Sequence, residues 1–359
     1  MTASVISSTP TVSAQSKAQS KAQSKAQSKI LDETDSGIGG VVKTFAWAWQ
    51  ERSINITYET LGHGAPLLLL PALSLVSTRS EMRGLAQYLA RRFQVITFDW
   101  PGFGDSDRPA VDYTPPMYRQ ALRDLLGELG HQRIAAIAPG HTTAYVLQVA
   151  EEAPDLISKV VAVAPIWKSP FTKAGLRHLL GGMVRRIVRI PLLGALVYGT
   201  HSSIPFLQRY HGKTAYVAPE YRQGELLQQK QFTTQKSGAR HAAIAFVTGG
   251  LDPVRNGQEF YRLFKNFTQE ILVIRGEQVP YQLQEEMEEV EALAHLKTQA
   301  LPGSLALHEE YPAELAKAVS PFLTPPLVTT GATRGGRWLR VSLLGALVVT
   351  AASVMAWLS

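Results

Sequence analysis

The sequence predicts an α/β fold: a mostly parallel sheet flanked by helices, with an inserted helical cap and one C-terminal transmembrane helix. Three observations carry this. Short apolar runs alternate with amphipathic stretches between residues 41 and 325, the pattern of strands buried on both faces and joined by covering helices. The alternation stops once, over residues 168–260, a gap far longer than a strand-helix-strand crossover needs. The stretch Val341–Leu358 runs eighteen residues without a charge, long enough to cross a bilayer as a helix.

Residues 1–40 are expected to form a disordered, lysine-containing tail. Ala-Gln-Ser-Lys occurs four times from Ala14 to Lys29 with no large apolar residue, so the segment cannot offset the entropy of ordering. A solvated tether and a lysine contact with anionic headgroups both remain open. No apolar run follows Met1, so a secretory signal is not expected.

Strands are predicted at Ile54–Tyr58, Leu67–Leu70, Val95–Phe98, Ile134–Ala138, Val160–Val163, Ile271–Ile274 and Thr298–Leu301. Each is a short apolar run bounded by turn-forming residues. Helices are predicted between them at Thr78–Arg92, Met117–Leu129 and Thr142–Glu152. The core therefore comprises residues 41–167 and 261–325, with the cap at 168–260 between its halves. A Pro-, Thr- and Gly-containing linker at 326–337 leads to an anchor at 338–358.

The net charge of +7 has a specific location. Lys17, Lys21, Lys25 and Lys29 lie in the acid-free N-terminus, and Arg334, Arg337 and Arg340 lie just before the uncharged run. These seven account for the whole excess. The middle of the chain is neutral and carries no nucleic-acid signature, so no nucleic-acid partner is expected. The absence of Cys excludes disulfides, thiolate metal ligands and Cys nucleophiles. No His-x-x-x-His or paired-carboxylate spacing points to a metal, and no motif points to a cofactor.

Two local motifs carry a resemblance. Gly62-His63-Gly64-Ala65-Pro66 precedes the strand Leu67–Leu70, and Asp99-Trp100-Pro101-Gly102-Phe103-Gly104-Asp105-Ser106 follows Val95–Phe98. With the cap in its place, residues 44–325 resemble the cap-containing α/β-hydrolase superfamily, and Asp99–Pro109 resembles its cyanobacterial and plastid members. The resemblance implies a nucleophile on a strand-to-helix turn, followed in chain order by an acid and a His.

Those positions are altered. The turn reads Gly140-His141-Thr142-Thr143-Ala144, with Thr142 at the nucleophile and Ala144 at the second Gly. A β-branched residue tolerates strained backbone poorly, so the turn is expected to relax. The acid position in Gly276-Glu277-Gln278-Val279-Pro280 holds Val279, and the His position counted back from Pro312 holds Leu305. His308 lies three residues later. With Thr142, Val279 and Leu305 in these places, the expected protein is a non-catalytic pseudoenzyme with a ligand-binding or scaffold role at a membrane. The other reading is an esterase or lipase using Thr142 with His308 on an apolar acyl substrate. An oxyanion-type loop at Ala72 and Leu73, with His141 and Thr143 beside it, is expected to line a ligand pocket.

Within the cap, Leu176, Leu179, Leu180, Met183, Ile187 and Ile190 form an apolar stripe at helical spacing, opposite Arg177, His178, Arg185, Arg186 and Arg189. The stripe is expected to pack onto the pocket; a second reading places it in a lipid interface. The expected partners are membrane lipid together with an apolar small molecule or a membrane protein. The three upstream arginines place the bulk of the chain in the cytoplasm as a tail-anchored, single-pass protein. The cyanobacterial resemblance would make that membrane thylakoid or plasma membrane. Truncation after Leu327 is expected to move the protein from the carbonate-washed membrane fraction to the soluble one; retention through the wash would overturn the anchor.

Overall fold

Eight strands make one sheet in a computed structural model that describes residues 37–130, 133–190, 194, 198–199, 203–205, 207–209, 215–222 and 224–324. In chain order they are β1 (Val41–Trp49), β2 (Arg52–Leu61), β3 (Ala65–Leu69), β4 (Phe93–Phe98), β5 (Ile134–Pro139), β6 (Ile157–Val163), β7 (Glu270–Gly276) and β8 (Lys297–Leu301). Their order across the sheet is β1-β2-β4-β3-β5-β6-β7-β8. β1 pairs antiparallel with β2, and β2 with β4; every later pairing is parallel.

All seven predicted strands are present. The eighth, β1, was not predicted, because it is an edge strand and only Trp47 along it is buried. The apolar run Phe45–Trp49 within it is short and lacks the flanking turn residues that marked the other strands. Trp47 is held by a 2.9 Å hydrogen bond from its indole nitrogen to Asp124 Oδ2.

Alternation along β3 divides the core. Leu68 and Leu70 face one apolar cluster, with α2 (Pro115–Glu128), α3 (Thr142–Glu152) and α8 (Gly257–Asn266) over it. Leu67 and Leu69 face a second, with α1 (Arg83–Leu89), α9 (Tyr281–Glu291) and α11 (Pro312–Leu323). The predicted helix Thr78–Arg92 is shorter than expected: a 3₁₀ turn at Arg79–Met82 precedes α1.

Arg79 explains that turn. Its guanidinium is buried and donates to Glu59 Oε2 at 2.9 Å, to Asp99, and to Asp105 Oδ2 at 2.7 Å. Burial alone would lower its pKa, but Asp99, Asp105 and Glu59 raise it above its ordinary value. The backbone N–H of Arg79 also donates to Asp99 Oδ1 at 2.7 Å.

The cap contributes α4 (Pro170–Lys173), α5 (Arg177–Arg189), α6 (Gly224–Gln235) and α7 (Ala239–Val247). Lys236 Nζ ties it to Asp105 Oδ1 at 2.7 Å. The helix α8 overlaps the expected cap boundary at 260, yet its Phe260 and Phe264 lie in the main core, so it covers the sheet.

The expected packing of the cap stripe is corrected. Leu180, Met183 and Ile190 are exposed, whereas Gly181 and Val188 are buried. Gly181 allows the close approach: a Cβ there would lie 2.8 Å from the carbonyl oxygen of Thr248. Arg185 then reaches inward to Thr248 Oγ1 at 3.0 Å. A polar contact, rather than the apolar stripe, sets which way the helix faces.

Among the described residues no helix is long and apolar enough to cross a membrane. The expected tail at 1–40 lies outside the described residues up to position 36, and the linker at 326–337 and anchor at 338–358 lie wholly outside them.

Candidate functional site

The site lies where the loop after β3, the turn after β5 and the helix after β8 meet beneath the cap. They enclose a cavity of about 90 Å³, room for a group of a few heavy atoms rather than a whole drug-sized ligand. Leu73, Val76, Ile166, Phe246 and Leu305 give it apolar walls, and Ser74, Glu81, His141, Tyr216, His308 and Glu309 give it polar points.

At the turn after β5, the left-handed backbone sits two residues before the expected nucleophile, at a glycine that adopts it freely. Gly140 has φ +58, His141 is ordinary helical backbone, and Thr142 opens α3 without a positive φ. The Thr142 hydroxyl is fully buried and donates to the carbonyl oxygen of Pro139 at 2.7 Å. Thr143 does the same to Ala138 at 2.6 Å. Both hydroxyls thus close the end of β5, and neither residue lines the cavity. This is the back-bonding of a Thr hydroxyl to a carbonyl a few residues earlier in the chain, rather than capping of the helix N–H groups.

The other two triad positions are apolar in space as well. Val279 is buried among Ile274, Leu283 and Leu307 in the second core cluster. Leu305 packs against that cluster and lines the cavity. His308, three residues on, does reach the cavity. It is buried, neither ring nitrogen has a hydrogen-bond partner, and Nε2 lies 3.8 Å from Glu81 Oε2.

The loop after β3 lines the cavity as expected through Ala72, Leu73 and Ser74. Its donors are partly occupied. Ala72 N–H donates to Glu81 Oε2 at 3.2 Å, so a carboxylate of the chain itself engages one backbone donor of this loop. Thr143 N–H, on the other side, donates to the carbonyl oxygen of Gly140 at 3.3 Å. Ser74 Oγ accepts from Val76 N–H at 3.1 Å.

His141 is buried with its Nε2 lacking a hydrogen-bond partner, 3.8 Å from Asp252 Oδ1. Burial, then the charge of Lys173, push its pKa from 6.5 down to about 3, against a hydrogen bond with the Trp167 backbone. The ring is therefore neutral near pH 7, and the approach to Asp252 is not an ion pair. Asp252 accepts instead from Ser169 N–H at 3.1 Å and from the Thr172 hydroxyl, fastening the start of the cap.

Behind His308, the short helix α10 (Leu307–Glu310) latches the cap. Glu309 Oε2 accepts from Tyr216 at 2.6 Å and from Lys230 at 3.0 Å. Burial would raise the Glu309 pKa, but Lys230, Tyr216 and His308 bring it below the ordinary value. Glu310 Oε1 accepts from Val217 and Ala218 N–H, both at 2.7 Å. Among the described residues no group of three or more His, Asp or Glu side chains is placed to hold a metal ion.

Sequence reasoning missed Glu81, Asp252 and the Tyr216–Lys230–Glu309 group. Glu81 acts on a residue nine positions away, and Lys230 on one 79 away; no local motif marks either contact. Asp252 before Pro253 is a turn signal that reads as cap boundary rather than as a partner for Ser169.

Comparison with known proteins agrees with this architecture. Residues 65–191 match the family model described as the alpha/beta hydrolase fold. An uncharacterised Mycobacterium tuberculosis protein is 31% identical over 107 residues, covering 30% of this chain and 31% of that protein. The chain thus matches about a third of the length of such curated relatives. A hydrolase from Pseudomonas aeruginosa superposes with a TM-score of 0.60 at 18% identity, over 80% of this chain and 100% of that one. A bromoperoxidase from Bacillus anthracis does so at 0.58 and 19% identity, over 78% and 99%. At these identities the superpositions establish the fold.

The buried neutral His141 has a consequence for stability. Unfolded, it takes up a proton below about pH 6.5; folded, it stays neutral down to about 3. The folded state therefore loses stability as pH falls through that window. Replacing His141 with Asn is expected to flatten the stability–pH slope between pH 6.5 and 4 by up to about 1.4 kcal/mol per pH unit, measured by urea unfolding. An unchanged slope would show that the ring is protonated in the native protein.

Proposed function

We propose that this chain, which belongs to the α/β-hydrolase superfamily, is a non-catalytic ligand-binding protein that works at a membrane. One observation carries the loss of catalysis: the hydroxyl at the nucleophile position donates to Pro139 and stands outside the cavity. A Thr hydroxyl is a weak nucleophile until a base takes its proton, and this proton is committed to the backbone. The apolar Val279 and Leu305 leave no acid–base pair in the usual places.

The cavity supports binding. Ser74, Lys168, Lys173 and Tyr216 set polar groups on a space walled by Leu73, Val76, Ile166, Phe246 and Leu305, an arrangement suited to the small polar end of a mainly apolar ligand. Membrane attachment rests on the uncharged run Val341–Leu358 and the arginines before it. One observation favours the hydrolase alternative: His308 is inside the cavity, so a rearranged turn would find a base there.

The two readings separate on p-nitrophenyl ester turnover by wild type, Thr142→Ala and His308→Ala. We expect all three to show the same residual rate, from polarisation of bound carbonyl groups alone. A large and matching loss in both variants, on the order of 100-fold or more, would show that Thr142 and His308 act together and would end the non-catalytic reading.

A further inference from the structure

We infer that the outward face of α5 lies in the headgroup region of an anionic lipid bilayer. The orientation of the helix is fixed from inside. Gly181 abuts the Thr248 carbonyl, Arg185 donates to Thr248 Oγ1 at 3.0 Å, and Val188 is fully buried. Those positions, spaced by four and three, make one face. Leu180, Met183, Ile187 and Ile190 therefore occupy another, and Leu180, Met183 and Ile190 are 36%, 53% and 51% exposed.

Water-facing Leu, Met and Ile at helical spacing have no structural role in a monomer, and a row of them marks a contact surface. Charge selects the occupant. The helix Arg177–Arg189 has no acid along its length, and exposed Arg186 borders the apolar row on one side, with exposed Arg189 farther round on that same side. Arg189 pairs with an exposed acid, Asp112, a contact at the surface that headgroup phosphates can replace. An apolar row bordered by arginine on an acid-free helix suits a helix lying in the plane of a membrane interface, with its apolar side chains among the acyl chains and its guanidinium groups at phosphate level. This contact is separate from the terminal anchor, and it concerns the folded domain.

The chain has no Cys, so Met183→Cys gives a single attachment site for an environment-sensitive fluorophore. Tyr281→Cys, at a position 82% exposed on α9, gives the control. The full-length protein is mixed with vesicles of phosphatidylcholine and phosphatidylglycerol carrying a nitroxide lipid, and with vesicles of phosphatidylcholine alone. On anionic vesicles the label at 183 is expected to shift blue and to be quenched about twofold or more beyond the label at 281. Equal quenching at both sites on vesicle-bound protein overturns the inference while leaving the terminal anchor standing. Failure to bind anionic vesicles overturns both. A blue shift at 183 without vesicles that grows with protein concentration assigns the face to a second copy of the chain and likewise overturns it.

Discussion

The buried guanidinium of Arg79 is the interaction on which the rest of the architecture depends. An unpaired charge in such a place would cost several kcal/mol, so its three carboxylate partners must be held around it. Glu59 comes from β2, Asp99 from the end of β4 and Asp105 from the turn beyond. Each has further duties. Glu59 accepts from Ile38 and Gly40 N–H, drawing the start of the domain onto the sheet. Asp99 accepts from Arg79 and Asp105 N–H, and Asp105 accepts from Lys236 of the cap. One cation thereby positions the loop after β3, the turn after β4 and one corner of the cap.

The same rule, that buried polar groups find partners, describes how the polar groups of the site are engaged. Thr142 and Thr143 turn their hydroxyls onto β5 carbonyls, and Glu81 takes the Ala72 N–H. Each contact is locally favourable and each consumes a group that a hydrolase would keep open for substrate or transition state. The exceptions are His141 Nε2 and both ring nitrogens of His308, on two residues that line the cavity. Glu309, Lys230 and Tyr216 close the cap over it through a buried charge pair.

Much of this was legible in the sequence. Parallel strands buried on both faces leave continuous apolar runs, so β3 to β7 could be read directly; the half-buried β2 and the exposed edge β8 gave weaker patterns, and the exposed edge β1 was missed. Departures from the family pattern at Thr142, Val279 and Leu305 could be marked because each pattern is local; the structure adds that the Thr142 hydroxyl meets the Pro139 carbonyl. Contacts between distant residues were hidden. Periodicity along α5 found the apolar stripe, but Gly181 and Arg185 meeting Thr248 turned that stripe to water. Likewise, Glu81 meets the Ala72 N–H of the loop after β3 through a fold-back that no spacing announces.

The central claim is that no hydroxyl at this site is activated. Intact-mass measurement after incubation with an alkyl fluorophosphonate tests it most directly, because the reagent phosphonylates activated hydroxyls and releases fluoride. The account predicts unmodified protein. A single adduct mapping to Thr142 or Ser74, and absent when His308 is replaced by Ala, would contradict it.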